Sequence, residues 1–177
     1  TLAGRDPEYG LLGAGALSQL AVPGDIVHVS ALDQSSAFTY VEVPQWWWAF
    51  QAAPTVKACD LLPIWRNCRW SDNERIAPQY KRLPMGHTHA VFICMERNKA
   101  AVRRASARFA SWRIVLLNDP AAVTEGCVLQ HRTLAVDVHV DDFGAIGVSV
   151  EPCEIYALAI REELTALGFA VKFTPCS

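Results

Sequence analysis

The stretch "VHVDDFGAIGVS", residues 138–149, decides how the chain is read. Two adjacent carboxylates, Asp141 and Asp142, stand between two runs of alternating apolar residues. Alternation at period two marks strands with one buried face, and a polar pair between them marks a turn. The segment predicts a hairpin: a strand over "LAVDVHV" (134–140), the Asp-Asp turn, and a strand over "FGAIGVSV" (143–150). Like charges side by side raise each other's pKa, and at least one resists ionising unless a cation compensates. The pair is therefore either a solvated turn, the ordinary role of adjacent aspartates, or part of a metal site.

A third carboxylate strengthens the second reading. "DIVHVSALD" (25–33) alternates Ile26, His28 and Ser30 against Val27, Val29 and Ala31, and predicts a strand that delivers Asp33 at its end. If that strand neighbours the hairpin, three carboxylates meet on one sheet edge. Hard Mg²⁺ takes oxygen ligands, one or two carboxylates per ion with the substrate phosphate completing the shell. Two such ions about 3.5–4 Å apart suit phosphoryl transfer.

The rest of the chain supplies a frame for this edge. "LLGAGALSQLAVPG" predicts a short helix within residues 1–23. Tyr40, Val41, Glu42 and Val43 are expected to run extended into Pro44. Trp46, Trp47 and Trp48 form an aromatic block whose ordinary role is packing and whose alternative is a binding platform. "ACDLLPIW" and "RNCRWSDNERIAPQYKRLPMG" read as short strands around a polar turn at Ser71-Asp72-Asn73. "THAVFICMERNKAAVRRASARFASW" (88–112) has no Gly or Pro and predicts a long helix, with Thr88 as N-cap. "RIVLLNDP" (113–120) predicts a strand and a turn, and 119–133 a surface insertion. "EIYALAIREELTALG" (154–168) predicts a helix with Ile155, Leu158, Ala159 or Ile160, Leu164 and Leu167 on its buried stripe, and Gly168 just past its end. "FAVKFTP" closes as a strand. The order implies an α+β fold, an antiparallel sheet with helices on one face.

Composition bounds the function. With 177 residues, 51% hydrophobic and 19% charged, the chain can bury one globular core. A net charge of −2 gives no overall basic field. Basic clusters are local: Lys81 and Arg82, then Arg97, Lys99, Arg103, Arg104 and Arg108. A solvated helix face is the ordinary reading of each such cluster. No apolar run approaches 18 residues, so no membrane partner is expected. Six cysteines without CxxC spacing argue against a zinc ribbon and fit reduced, intracellular thiols. Cys59, Cys68, His87 and His89 match no compact zinc finger. The chain starts without Met, mid-pattern, and reads as a piece of a longer protein.

Three motifs occur in one order: "LDQSSAFTYVEVP" (32–44), "LPMG" (83–86) and "VHVDDFGAIG" (138–147). Together they resemble motifs A, B and C of the reverse transcriptase palm. Asp33 with the Ala37-Phe38 pair matches motif A. Leu83, Pro84 and Gly86, opening the long helix, match motif B. Asp141-Asp142 in the hairpin match motif C, and "ALGFAVKFTP" (166–175) resembles motif D, with Lys172 as its basic residue. The resemblance covers about residues 20–175 and implies a single domain. Its palm spans about 20–45 and 84–177, with a fingers-like insertion over about 46–83 and no thumb. Three departures are visible. His139 stands where an aromatic is usual, Met85 where retroviral members carry Gln, and Ser36 where many members are acidic or polar. Such a divergent pattern suits a retrotransposon-like element.

The resemblance implies an RNA-directed DNA polymerase, a nucleotidyltransferase adding dNTPs to a primer 3′ end on an RNA or DNA template. Asp33, Asp141 and Asp142 would be catalytic and would hold two Mg²⁺ ions, with Mn²⁺ as a substitute, and the Gln34 backbone carbonyl would complete one shell. Ala37 and Phe38 would line the nucleotide, Phe38 as a flat gate against a 2′ hydroxyl. Met85 and Gly86 would shape the turn beside the nascent pair, Lys81 or Arg82 would meet the triphosphate, and Lys172 would act near the pyrophosphate. No organic cofactor is implied.

Other readings weigh less. "HRTLAV…DDFG" lacks the catalytic Asp and spacing of a kinase, and no glycine-rich loop precedes it. An RNA-templated RNA polymerase favours Gly-Asp-Asp in motif C and a second motif-A Asp, where this chain has Val140 and Phe38. A catalytically inactive palm, used as a binding scaffold, shares the fold.

Overall fold

A computed structural model describes residues 20–24, 26–87, 89–119 and 127–176. The helix expected within 1–23 and the Thr88 cap fall on or across residues outside this set, as does part of the 119–133 insertion.

The main sheet has five strands in the order β5–β7–β8–β2–β9. They are β2 (His28–Ser35), β5 (Arg113–Leu116), β7 (Thr133–His139), β8 (Asp142–Gly147) and β9 (Ala170–Thr174). Two short pairs lie apart from it: β1 (Leu20–Ala21) parallel to β6 (Cys127–Val128), and β3 (Val56–Lys57) antiparallel to β4 (Arg75–Ile76). Among the described residues there are four α-helices: α1 (Ala37–Tyr40), α2 (Gln45–Trp48), α3 (Ala90–Ala107) and α4 (Val150–Ala166).

The α+β class holds, but the sheet is mixed rather than antiparallel. β2, β7, β8 and β9 pair antiparallel, whereas β5 lies parallel to β7. A parallel neighbour needs a long crossover, and residues 117–132 give β5 the length to return to the starting end of β7.

Alternation decides what each sheet face meets. Ser30, Leu32 and Gln34 of β2, Leu134, Val136 and Val138 of β7, and Phe143 and Ala145 of β8 are buried. The apolar members of this set share one core with Met95, Ala101 and Val102 of α3 and Tyr156, Ile160 and Leu164 of α4. Val115, Leu117, Leu129 and Ala135 form a second, smaller core. Gly147 must be small. A Cβ there would sit 2.8 Å from both Cys153 Sγ and Leu134 Cδ2, closer than carbon atoms pack.

The helices depart from their expected bounds, and α4 in part from its expected phase. α3 buries Cys94, Met95, Asn98, Ala101, Val102 and Ala105, a stripe at three- and four-residue steps, and ends at Ala107, before the expected 112. α4 starts earlier than expected and buries Cys153, Tyr156, Ala157, Ile160 and Leu164, while Ile155 is 49% exposed and Leu158 37%. Both phases offer apolar residues. The observed one gives the buried Tyr156 hydroxyl a partner, Ser106 Oγ at 2.6 Å, and sets its ring edge-on to Phe109. Gly168 takes φ 89°, the left-handed turn expected after the helix.

The middle of the chain is more turned than expected. Ser36 adopts φ 56° and launches α1, so extended backbone resumes only at Val41. The polar turn at 71–73 does separate paired strands, but these are β3 and β4; Ala58–Asp60 and Pro63–Trp65 are 3₁₀ turns. Pro63, without an N–H, suits a turn start better than a ladder.

Candidate active site

Asp33 and Asp142 are direct cross-strand partners of β2 and β8. Each lies between buried neighbours, Asp33 between Leu32 and Gln34 and Asp142 before Phe143, so both point to the sheet face away from the helices. The same row extends on either side. Lys172 of β9 is opposite Asp33, and His139 of β7 is opposite Asp142. Four chemistry-bearing residues therefore stand abreast across four strands: Lys172, Asp33, Asp142 and His139.

Asp141 is brought to this row by the hairpin turn. Gln34 N–H donates to Asp141 O at 2.8 Å, which ties the turn to the strand carrying Asp33. The turn is tight enough that Val140, β-branched, adopts φ 57°. Such a residue is held in the left-handed region only when its surroundings over-determine it. α3 does so. Asn98 Nδ2 donates to Val140 O, and Val140 N–H donates to Met95 Sδ at 3.1 Å. Asn98 Nδ2 also donates to Gln34 Oε1 at 3.0 Å, and both side chains are fully buried. One polar cluster thus links the Asp33 strand, the Asp-Asp turn and the long helix.

Electrostatics reflects this crowding. Burial, then the negative charges of Asp141 and Asp33, push the Asp142 carboxyl above the usual carboxylate range, and His139 opposes them. Asp137, two residues before His139 on the same face, is raised chiefly by burial, and its Oδ1 is buried without a hydrogen-bond partner. Burial and Asp141 raise the Cys94 thiol to about 11, so it stays protonated behind the turn.

The donor chemistry fits a hard divalent ion: carboxylate oxygens on neighbouring positions whose mutual repulsion nothing but His139 is seen to offset at Asp142. Among the described residues, however, no three His, Cys, Asp or Glu side chains are gathered closely enough to hold an ion.

Ala37 is buried in α1, and Phe38 is half-buried against the main core. The LPMG turn docks on the segment after α1: Leu83 N–H donates to Val41 O at 2.8 Å and Val43 N–H to Lys81 O at 3.1 Å. Leu83 is fully buried, Met85 is 80% exposed, and Gly86 takes φ 89°. Arg82 pairs with Glu42 at 2.8 Å, and Lys81 Nζ lies 4.4 Å from the Trp48 ring centroid. Both cations are thus engaged locally. Lys172, exposed, is in register with Asp33. The Gln34 side chain faces the helices, so only its backbone lies toward the carboxylates. The tryptophan block divides: Trp47 and Trp48 pack on the core, while Trp46 is 65% exposed and stacks on Trp47.

Asn98, Met95 and Asp137 were not anticipated. Asn98 had a signal, a polar residue in phase with the apolar stripe of a long helix, which must find buried partners. No protein-family model and no curated protein matches the chain.

Proposed function

We propose that the chain is the palm, with partial fingers, of an RNA-directed DNA polymerase from a retrotransposon-like element. The carrying observation is the register Asp33 opposite Asp142, with the Asp141 carbonyl bound by Gln34 N–H. Asp33 and the hairpin pair Asp141-Asp142, far apart along the chain, come to adjacent strands in the motif order of that family.

Asp33, Asp141 and Asp142 would hold two magnesium ions. When bound, these ions favour ionisation of a primer 3′ hydroxyl and stabilise the leaving pyrophosphate. The protein's part is placement. The β2–β8 ladder fixes Asp33 against Asp142, and the Asn98–Gln34 pair fixes the turn that carries Asp141. Lys172, beside Asp33, brings positive charge to the end where a triphosphate would lie. The Gly86 turn lets backbone approach a nascent base pair. Phe38, one helical turn beyond the strand end, would close the space under C2′ of the incoming sugar.

Primer extension on RNA and DNA templates, with dNTPs or rNTPs, tests the reading. Extension with dNTPs that is lost in Asp141→Asn supports it. Preference for rNTPs moves the assignment to an RNA-templated RNA polymerase. Template binding without extension, unchanged in Asp141→Asn, leaves an inactive scaffold.

A further inference from the structure

A second cluster lies at the opposite end of β2, away from the carboxylates. Cys176, two residues past β9, places Sγ 3.0 Å from Ser30 Oγ and 3.7 Å from Val150 O. Its backbone N–H donates to Glu154 Oε1 at 3.1 Å, which holds the segment against the first turn of α4. Cys153 follows Val150 by three residues and so lies on the same helix face. Its Sγ is 3.6 Å from His28 O, and His28 precedes Ser30 by two residues on one strand face. Both thiols therefore enter one gap between β2 and α4, from different elements. Cys153 is fully buried and Cys176 is half-exposed.

We propose that Cys153 and Cys176 are an oxidisable pair that closes to a disulfide, fastening the segment after β9 to the start of α4. The oxidant is a low-molecular-weight disulfide such as oxidised glutathione. The half-exposed Cys176, as its thiolate, attacks one sulfur of the oxidant, forming a mixed disulfide and releasing one thiolate. Cys153, deprotonated to solvent, then attacks the Cys176 sulfur and expels the second. Two cysteine thiols are oxidised, one disulfide is reduced to two thiols, and the two cysteine protons end on those thiols. The order follows from access: burial, with Cys176 alongside, raises the Cys153 thiol to about 12, so it is the resolving and not the attacking group.

The test is independent of polymerase activity. The full chain is incubated folded with oxidised glutathione, alkylated, digested with trypsin without reduction and mapped. The expected product joins the peptide Thr133–Arg161, which holds Cys153, to the peptide that begins at Phe173 and holds Cys176. Cys176→Ser, at a half-exposed position, should abolish the linkage and leave Cys153 unmodified. Cys153→Ser should stop at a glutathione adduct on Cys176. The wild-type map and Cys176→Ser suffice if Cys153→Ser fails to fold. The proposal is overturned if wild-type protein keeps a stable adduct on Cys176 with Cys153 free. It is also overturned if Cys153 links to another cysteine, or if neither thiol reacts.

Discussion

Asp33 and Asp142 face each other across adjacent antiparallel strands, with Lys172 and His139 flanking them in the same row. Direct opposition of like charges is unfavourable in a sheet. On the proposed reading, a bound cation would relieve it. Single substitutions Asp33→Asn and Asp141→Asn should each lower dNTP incorporation by roughly a thousandfold or more, as loss of charge stabilisation at a reacting centre does. Circular dichroism and the melting temperature should stay near wild type or rise, since a repulsion is removed. Retained extension in both variants would end the polymerase assignment.

The Asn98–Gln34 pair is the fixture of the Asp-Asp turn. Asn98→Ala strands the buried Gln34 amide and the Val140 carbonyl, and should cost on the order of 3 kcal/mol in urea unfolding. Activity should fall even at temperatures where the variant is fully folded, because Asp141 loses its anchor. A variant with wild-type stability would show that the cluster is not holding the turn.

Val140 at φ 57° carries backbone strain of roughly 1–3 kcal/mol that Gly would release. Val140→Gly loses side-chain burial and gains backbone ease, so its stability should lie within about 1 kcal/mol of wild type. Val138→Ala, a truncation at a fully buried site of β7 just before the turn, should cost about 1–3 kcal/mol. Comparable losses at both positions would refute the strain argument.

Gly147 and Gly144 make an internal control on β8. Gly147→Ala forces a methyl against Cys153 Sγ and Leu134 Cδ2 and should destabilise by about 1–3 kcal/mol. Gly144→Ala meets its nearest neighbours, Asp137 Cβ and Val29 Cγ1, at 4.0 Å, an ordinary contact, and should be tolerated.

Asp137 gives a pH signature. Its folded carboxyl is raised by burial, so between its ordinary value and the raised one the folded chain binds more protons than the unfolded chain. That contribution to stability is present at low pH and is lost as pH rises through the folded value. Asp137→Asn removes the titration. It should be more stable than wild type at pH 7, and the advantage should vanish once the wild-type carboxyl is protonated. His139 and the hydrogen bonds from Asn118 and the Val138 backbone oppose that rise, so an Asn variant that is less stable at pH 7 would mean that they outweigh burial.

The sequence alone determined the elements near the site, because period and punctuation are local physics. Alternation around "VDDF" fixed a hairpin, and the uninterrupted run after LPMG fixed a long helix. Gly168 marked a helix end through its freedom at positive φ. Tertiary structure alone decided how these meet. Helix α4 had two apolar phases, and the one used depends on Tyr156 finding Ser106 on another helix. The parallel entry of β5 depends on a crossover that periodicity does not register. The Asp33–Asp142 register, the Asn98 clamp on Val140 and the meeting of Cys153 with the β9 end are contacts between residues far apart along the chain. Such contacts follow from which faces pack together, and no local pattern encodes that.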